Sequence, residues 1–145
     1  RAHAKASLVI FDLDHFKRIN DTWGHAAGDA VLKAVARCVL RELRVEDSFG
    51  RIGGEEFAVL VANADAAIAS DVAERVRRAI ERLSIPGYPQ IPVSASFGVA
   101  EATDAVLDVE DWTDRADAQL YTAKENGRNR VCVANEATPR AAMVN

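Results

Sequence analysis

The sequence predicts an α/β domain of the α+β type: a mixed, mostly antiparallel central sheet flanked by helices, ferredoxin-like or palm-like in layout. Three observations predict it. Residues 7–13, 49–61 and 91–100 carry apolar side chains at the two-residue period of strands, whereas the stretches between them repeat at the three-to-four-residue period of amphipathic helices. Gly53-Gly54 splits the middle run in two, which forces neighbouring strands to run antiparallel there. The resulting order is strand, helix, hairpin, helix, strand, helix, strand.

The elements follow in turn. Residues 7–13 read as a buried strand, and because side chains two apart share a face, the row of Leu8 and Ile10 continues into Asp12 and Asp14. Both acids are therefore expected to leave the core together. Residues 20–29 read as a loop, and beyond them Val31, Leu32, Val35, Ala36, Val39 and Leu43 recur at helical spacing. Around 49–61 two short strands flank Gly53-Gly54, a pair expected to take positive φ in a tight hairpin, with Glu55 at its tip. Ile68, Val72, Val76, Ile80 and Leu83, interleaved with Arg75, Arg77, Arg78, Glu81 and Arg82, form an amphipathic helix ended by Pro86-Gly87. Val93, Ala95, Phe97 and Val99 alternate with Ser94, Ser96 and Gly98, so 91–100 is a strand. Trp112, Ala116, Leu120 and Ala123 mark a last helix capped by Gly127, and 131–134 is a closing strand. Residues 1–134 thus form one domain, and 135–145, small and polar without period, a loose tail.

Composition narrows the function classes. A chain of 145 residues, 49% hydrophobic and 28% charged, suits one soluble globular unit. The apolar run at 8–11 is far too short to span a bilayer, and no signal peptide is expected. Cys38 and Cys132 lack metal-ligand spacing and are expected to be reduced thiols, in keeping with a cytoplasmic setting. A net charge of −4 disfavours nucleic acid as a partner while leaving room for a small phosphate ligand at local basic clusters.

The informative charges are acids. If the first strand and the hairpin are sheet neighbours, Asp12 and Glu55 converge, and Glu56 brings a third carboxylate into the same small volume. Two unit charges about 4 Å apart repel by roughly 4 kcal/mol at an effective dielectric near 20, a penalty that a divalent cation reverses. Oxygen-only ligands select magnesium or manganese over zinc. The plain alternative is that these are solvated strand-end and turn acids.

Four separated stretches decide between them. Asp12-Leu13-Asp14-His15-Phe16-Lys17-Arg18-Ile19-Asn20-Asp21, then Gly24-His25-Ala26-Ala27-Gly28-Asp29, then Arg51-Ile52-Gly53-Gly54-Glu55-Glu56-Phe57, and finally the run from Asp117 through Lys124, Gly127 and Arg128 to Val131 resemble the GGDEF-domain diguanylate cyclases, here with a GGEEF hairpin. That family condenses two GTP into cyclic di-GMP and releases two pyrophosphates. The resemblance implies that Asp12, the Leu13 carbonyl and Glu55 hold Mg2+, with Mn2+ as an alternative, and that Glu55 or Glu56 accepts the proton of the attacking hydroxyl. It further implies that Phe16 and Lys17 offer backbone N–H groups to phosphate and that Lys124 and Arg128 clamp it. Asn20 and Asp29 would read the guanine, with His25 either touching the ligand or packing in its loop. Arg44 and Asp47, in an R-x-x-D pattern six residues ahead of Gly53 counted from Asp47, with Arg75 as a third contact, match the family's product-inhibition site. Catalysis would need a homodimer, since each site holds one GTP. Members usually carry a D-x-L-T-G-L type motif before the first strand, which Arg1-Ala2-His3-Ala4-Lys5 does not match, and a sensor domain is expected upstream in the intact protein.

Overall fold

The computed structural model describes residues 5–134, so the expected tail at 135–145 lies outside the described residues. Five strands form one sheet in the order β2-β3-β1-β4-β5. They are β1 (Ala6–Leu13), β2 (Ser48–Arg51), β3 (Glu56–Ala62), β4 (Ala95–Glu101) and β5 (Val131–Val133), and four helices accompany them: α1 (Phe16–Trp23), α2 (His25–Glu42), α3 (Ala66–Glu81) and α4 (Val109–Glu125). Every pairing is antiparallel except β4 with β5, which is parallel. The mostly antiparallel sheet flanked by helices is the one the periodicities predict.

β1 sits at the centre, and its register is fixed by aromatic packing. Phe11 pairs with Phe57 on one side and Phe97 on the other. The three rings stack, with centroids 5.0 Å and 4.8 Å from that of Phe11. All three are fully buried. A slip of one residue would turn every one of them to the opposite face, so the register is strongly specified. Val9, Phe11, Val59 and Val99 pack with Val31 and Val35 of α2 and Val72 and Val76 of α3 in the main core. The opposite face carries Ile10 and Ala100 against Ala116 and Leu120 of α4. Gly98 allows that contact, because a Cβ there would lie 2.1 Å from the Ala116 carbonyl oxygen. The cysteines are free thiols, Cys38 buried and Cys132 half-buried.

Three local expectations are corrected. Residues 20–29 are not a loop: α1 runs through Trp23 and α2 starts at His25, with Gly24 alone between them at φ 92°. Burial of Ile19 and the packing of Phe16 on the core override the turn-forming composition of Asn20, Asp21 and Gly24. Residues 91–94 are not strand, because β1 ends at Leu13, whose partner is Ala95, and only the Asp14 N–H to Ser94 carbonyl bond (2.9 Å) extends the ladder. Gly53 and Gly54 do not take positive φ. The reversal is spread from Ile52 to Glu55, with the N–H groups of Ile52 and Gly53 both donating to the Glu56 carbonyl (2.9 and 3.2 Å), so neither glycine needs the left-handed region.

Candidate active site

The end of β1 and the tip of the β2–β3 hairpin lie side by side. Asp12 faces Glu56 directly across the strand pair, and the Leu13 N–H donates to the Glu55 carbonyl at 3.2 Å. By strand alternation Asp12 and Glu56 stand on the same face as Ile10 and Ala58, the face beneath α4. Lys124, in the last turn of α4, forms an ion pair with Asp12 Oδ2. A helix C-terminus favours a cation in any case, so the lysine is both dipole partner and counter-charge.

The other oxygen of Asp12 is more telling. Oδ1 is buried and has no hydrogen-bond partner. An orphaned carboxylate oxygen is costly. It fits a position where a cation completes the coordination. Burial raises the Asp12 pKa; Lys124 opposes this by hydrogen bond and charge, and Glu55 and Asp14 push it further up. Glu56 is likewise raised, by burial first and then by the charges of Asp117, Asp12 and Glu55 against the opposing Lys124. Asp117 itself is raised by burial and by Asp114. Three carboxyls with elevated pKa around one lysine mark a place short of positive charge.

The expected convergence of three chelating acids is not preformed. Among the described residues no three Asp, Glu, His or Cys side chains form a metal cage. Like charges have no reason to close on one another without a cation, and Lys124 already takes one oxygen of Asp12. The unpartnered Asp12 Oδ1 is an oxygen donor of the kind that suits a hard cation.

Asp14 departs most from expectation. It does not leave the core with Asp12 but is 7% exposed, accepting 2.6 Å hydrogen bonds from the hydroxyls of Ser94 and Ser96. The strand has ended one residue earlier, so alternation no longer governs its direction.

Phe16 and Lys17 open α1, where the first N–H groups have no intrahelical acceptor. The Lys17 ammonium pairs with exposed Asp21 at 3.0 Å. Asn20 is half-buried on α1, against Gly28 of α2: a Cβ on Gly28 would lie 1.9 Å from Asn20 Oδ1. Asp29 follows that glycine and is exposed on the fifth residue of α2, whose N-cap is Gly24, so it does not cap the helix. His25 is exposed as the first residue of α2. Arg128 is exposed beyond α4 at φ 64°.

The R-x-x-D pair is a tight local structure. Arg44 donates to both oxygens of Asp47, Nε at 3.2 Å and Nη2 at 3.0 Å, and also to the Ala62 carbonyl. Asp47 also accepts from the Ala62 N–H at 3.1 Å. Burial pushes the Asp47 carboxyl up, but hydrogen bonds from Arg44 and Ala62, with the guanidinium charge, outweigh it and hold it below the usual range. Arg75 reaches back from α3 to Glu42, with Nη2 2.6 Å from its carbonyl oxygen.

Sequence reasoning missed two site residues. Asp117 lies seven residues before Lys124 on α4, a spacing that places both on one helix face. Gly28 was readable only as part of a motif, since its role depends on how closely α2 approaches Asn20. A cavity of about 480 Å3 lies elsewhere, on the flank of α1 formed by His15, Arg18, Ile19 and Thr22, and bounded by Asp14, Glu81, Ile91, Pro92 and Val93. None of Asp12, Glu55 and Glu56 lines it.

Acids, a lysine at a helix end and free amides at a helix start thus meet at one end of the sheet. The family model described as "Diguanylate cyclase, GGDEF domain" matches residues 1–130, and the chain belongs to that family. It is 42% identical over 134 residues to the probable diguanylate cyclase DgcC of Escherichia coli K12, covering 92% of this chain and 36% of that protein. It is 43% identical over 136 residues to diguanylate cyclase A of Treponema denticola, covering 93% of this chain and 37% of that one. The chain thus spans little more than a third of the length of these curated relatives. Among solved structures, the active GGEEF domain of a Vibrio cholerae diguanylate cyclase superimposes with a TM-score of 0.85 at 33% identity, covering 90% of this chain and 83% of that one. The GGDEF domain of DgcB from Caulobacter crescentus, in complex with c-di-GMP, gives 0.83 at 34% identity, covering 90% and 78%. Among the described residues no helix is long and apolar enough to cross a membrane.

Proposed function

We propose that this chain is the catalytic domain of a diguanylate cyclase, joining two GTP into cyclic di-GMP with release of two pyrophosphates, in the cytoplasm where GTP is found. The observation that carries the reading is the cross-strand pair of Asp12 and Glu56, with Asp12 Oδ1 buried and unpartnered at its centre. Asp12, Glu55 and the Leu13 carbonyl would hold Mg2+ or Mn2+. When bound, the cation supplies charge neutralisation and Lewis acidity at the triphosphate.

The chain's own groups do the rest. Phe16 and Lys17 N–H groups at the start of α1 receive phosphate oxygens, as a helix N-terminus does. The ion pair with Asp12 holds the Lys124 ammonium within reach of the same phosphates, and Arg128 can take two oxygens at once. Among the described residues, and apart from its chain neighbours, no heavy atom lies within 4 Å of the space a Gly54 side chain would fill, which leaves the hairpin backbone open to a ligand. Either hairpin glutamate can accept the 3′-hydroxyl proton; Glu56 is the better matched in basicity, its carboxyl being held up by burial, Asp117 and Asp12.

Asn20 and Asp29 select the base. Guanine presents N1–H and N2–H2 donors to a carboxylate, whereas adenine presents an acceptor, and a site built on such bonds can discriminate by about 10^4. His25 sits at the rim of that pocket. Each site holds one GTP, so two domains must meet face to face. Arg44, Asp47 and Arg75 form the site for product, whose binding would hold two domains apart from the productive arrangement. A sensor domain upstream in the intact protein would control that pairing.

Incubation with GTP and Mg2+ should yield cyclic di-GMP and pyrophosphate, resolved by chromatography. Glu55→Ala should abolish both products. A 3′,5′-cyclic mononucleotide from the wild-type protein would overturn the assignment.

A further inference from the structure

We propose that Asp14 is a positioning residue: it clamps the turn that presents Arg128 to the triphosphate, so the two acids of the Asp12-x-Asp14 pair divide the site between cation and phosphate. The inference rests on the phosphate role given to Arg128 above.

The two carboxylates differ in what they have left to offer. Asp12 keeps one buried oxygen unpartnered. Asp14 is saturated: Oδ1 accepts from Ser96 Oγ at 2.6 Å, and Oδ2 accepts from Ser94 Oγ at 2.6 Å and from the Asn129 N–H at 3.1 Å. A carboxylate so occupied has its acceptors turned into the protein rather than toward a cation.

What it holds is an unfavourable turn. After α4 the chain passes through Gly127, Arg128 and Asn129 at φ 120°, 64° and 48°. Only the first is a glycine, and left-handed backbone at non-glycine residues persists where the surroundings over-determine it. Here they do. The Asn129 N–H is shared between Asp14 and Ser96 Oγ (3.2 Å). The Asn129 side chain accepts from Arg77 Nη1 at 2.9 Å and donates to Glu81 Oε2 at 2.6 Å. Arg77 is in turn anchored by two bonds to Glu74, at 2.8 and 2.7 Å. The Arg128 N–H donates to the Ala123 carbonyl at 3.0 Å, and the Phe97 N–H to the Arg130 carbonyl at 2.9 Å. Backbone and neighbours are thus fixed on both sides of Arg128, whose guanidinium makes no hydrogen bond or ion pair among the described residues. The end of β1 is tied to the far end of α4 twice, by Asp12 to Lys124 and by Asp14 to Asn129.

The test compares affinity for GTP and for GMP, each with Mg2+, by calorimetry. Asp14→Asn should weaken GTP binding tenfold or more and leave GMP within about twofold, because only GTP reaches Arg128. In an Arg128→Ala background the same change should cost less than about twofold further, the signature of two residues acting as one unit. Asn129→Gly, which relieves the backbone but cuts the ties to Arg77 and Glu81, should give a smaller loss of the same selectivity. It also carries the test if Asp14→Asn lacks a cooperative melting transition. Equal losses for GTP and GMP, additive losses in the double variant, or wild-type GTP affinity in both single variants would overturn the proposal. Amide exchange at residues 128–130 should accelerate in the variants without any ligand. A wild-type protein that binds neither nucleotide would remove the active-site reading and the phosphate role of the turn with it, while exchange would still report whether Asp14 holds that turn.

Discussion

The two faces of the sheet are built on opposite plans. The face under α2 and α3 is large, aromatic and aliphatic, with Phe11, Phe57 and Phe97 stacked across three strands. The face under α4 is small and mixed: Ile10, Ala100, Ala116 and Leu120 give way, at the end of β1, to Asp12, Glu56 and Lys124. The same strand serves both by alternation, Phe11 to one side and Asp12 to the other. The lesson is a division of labour. Stability is concentrated where water is excluded, and Asp12, Glu56 and Lys124 occupy the smaller, mixed face.

That contrast can be broken on the first face. Phe11→Ala removes a fully buried ring with stacking partners on both neighbouring strands, and large-to-small changes of this kind cost about 3–5 kcal/mol. Denaturant unfolding should show a loss of that size. A loss below about 1 kcal/mol would mean that the aromatic stack is not where stability resides.

The second face is sharpened by Gly98→Ala. The new Cβ would meet the Ala116 carbonyl oxygen at 2.1 Å and the Leu120 nitrogen at 2.4 Å, backbone atoms that cannot swing aside. α4 must lift, at a cost of about 1–3 kcal/mol for overpacking. Because α4 also carries Asp117 and Lys124, cyclic di-GMP formation should fall by more than the unfolded fraction accounts for. An unchanged turnover per folded molecule would show that the seating of α4 does not set the site.

How far the sequence reveals this division varies with distance along the chain. The strand positions of Val9, Phe11, Phe57 and Phe97 are legible because a period of two needs only neighbouring residues. The meeting of Asp12 with the hairpin is legible once β1 and β3 are taken as neighbours. α1 is not, since Asn20, Asp21 and Gly24 are turn formers and the burial of Ile19 with the packing of Phe16 makes that stretch a helix. The hydrogen bonding of Asp14 is also hidden. Its partners Ser94 and Asn129 lie 80 and 115 residues away, and the face that alternation assigns to it no longer applies after Leu13. Lys124 and Asp12, 112 residues apart, could be assigned separate tasks from their motifs, but not to each other.

The smallest expected effect concerns charge. Asp12, Glu56 and Asp117 are all raised, with burial the first cause in each, and they lie on the α4 side of the molecule. A carboxyl whose native pKa exceeds its unfolded one binds its proton more tightly in the folded protein. Its contribution is therefore most favourable below the unfolded value, about pH 4, and is lost as pH rises through the native value. Asp47 and Glu74 run the other way: guanidinium partners hold them low, so their contribution is present above about pH 4 and is lost only as pH falls beneath it. The two groups act on opposite sides of that point. In buffer free of divalent cations, thermal stability should accordingly decline from weakly acid to neutral pH. Asp117→Asn should flatten that decline and raise the melting temperature at pH 7. Solvent screening of these partly exposed groups keeps the gain below about 1 kcal/mol, or about 2–4 °C for a domain of this size. If Asp117→Asn lowers the melting temperature at pH 7, or leaves the pH profile unaltered, the α4 face is not the strained acid cluster described here, and the contrast between the two faces loses its electrostatic half.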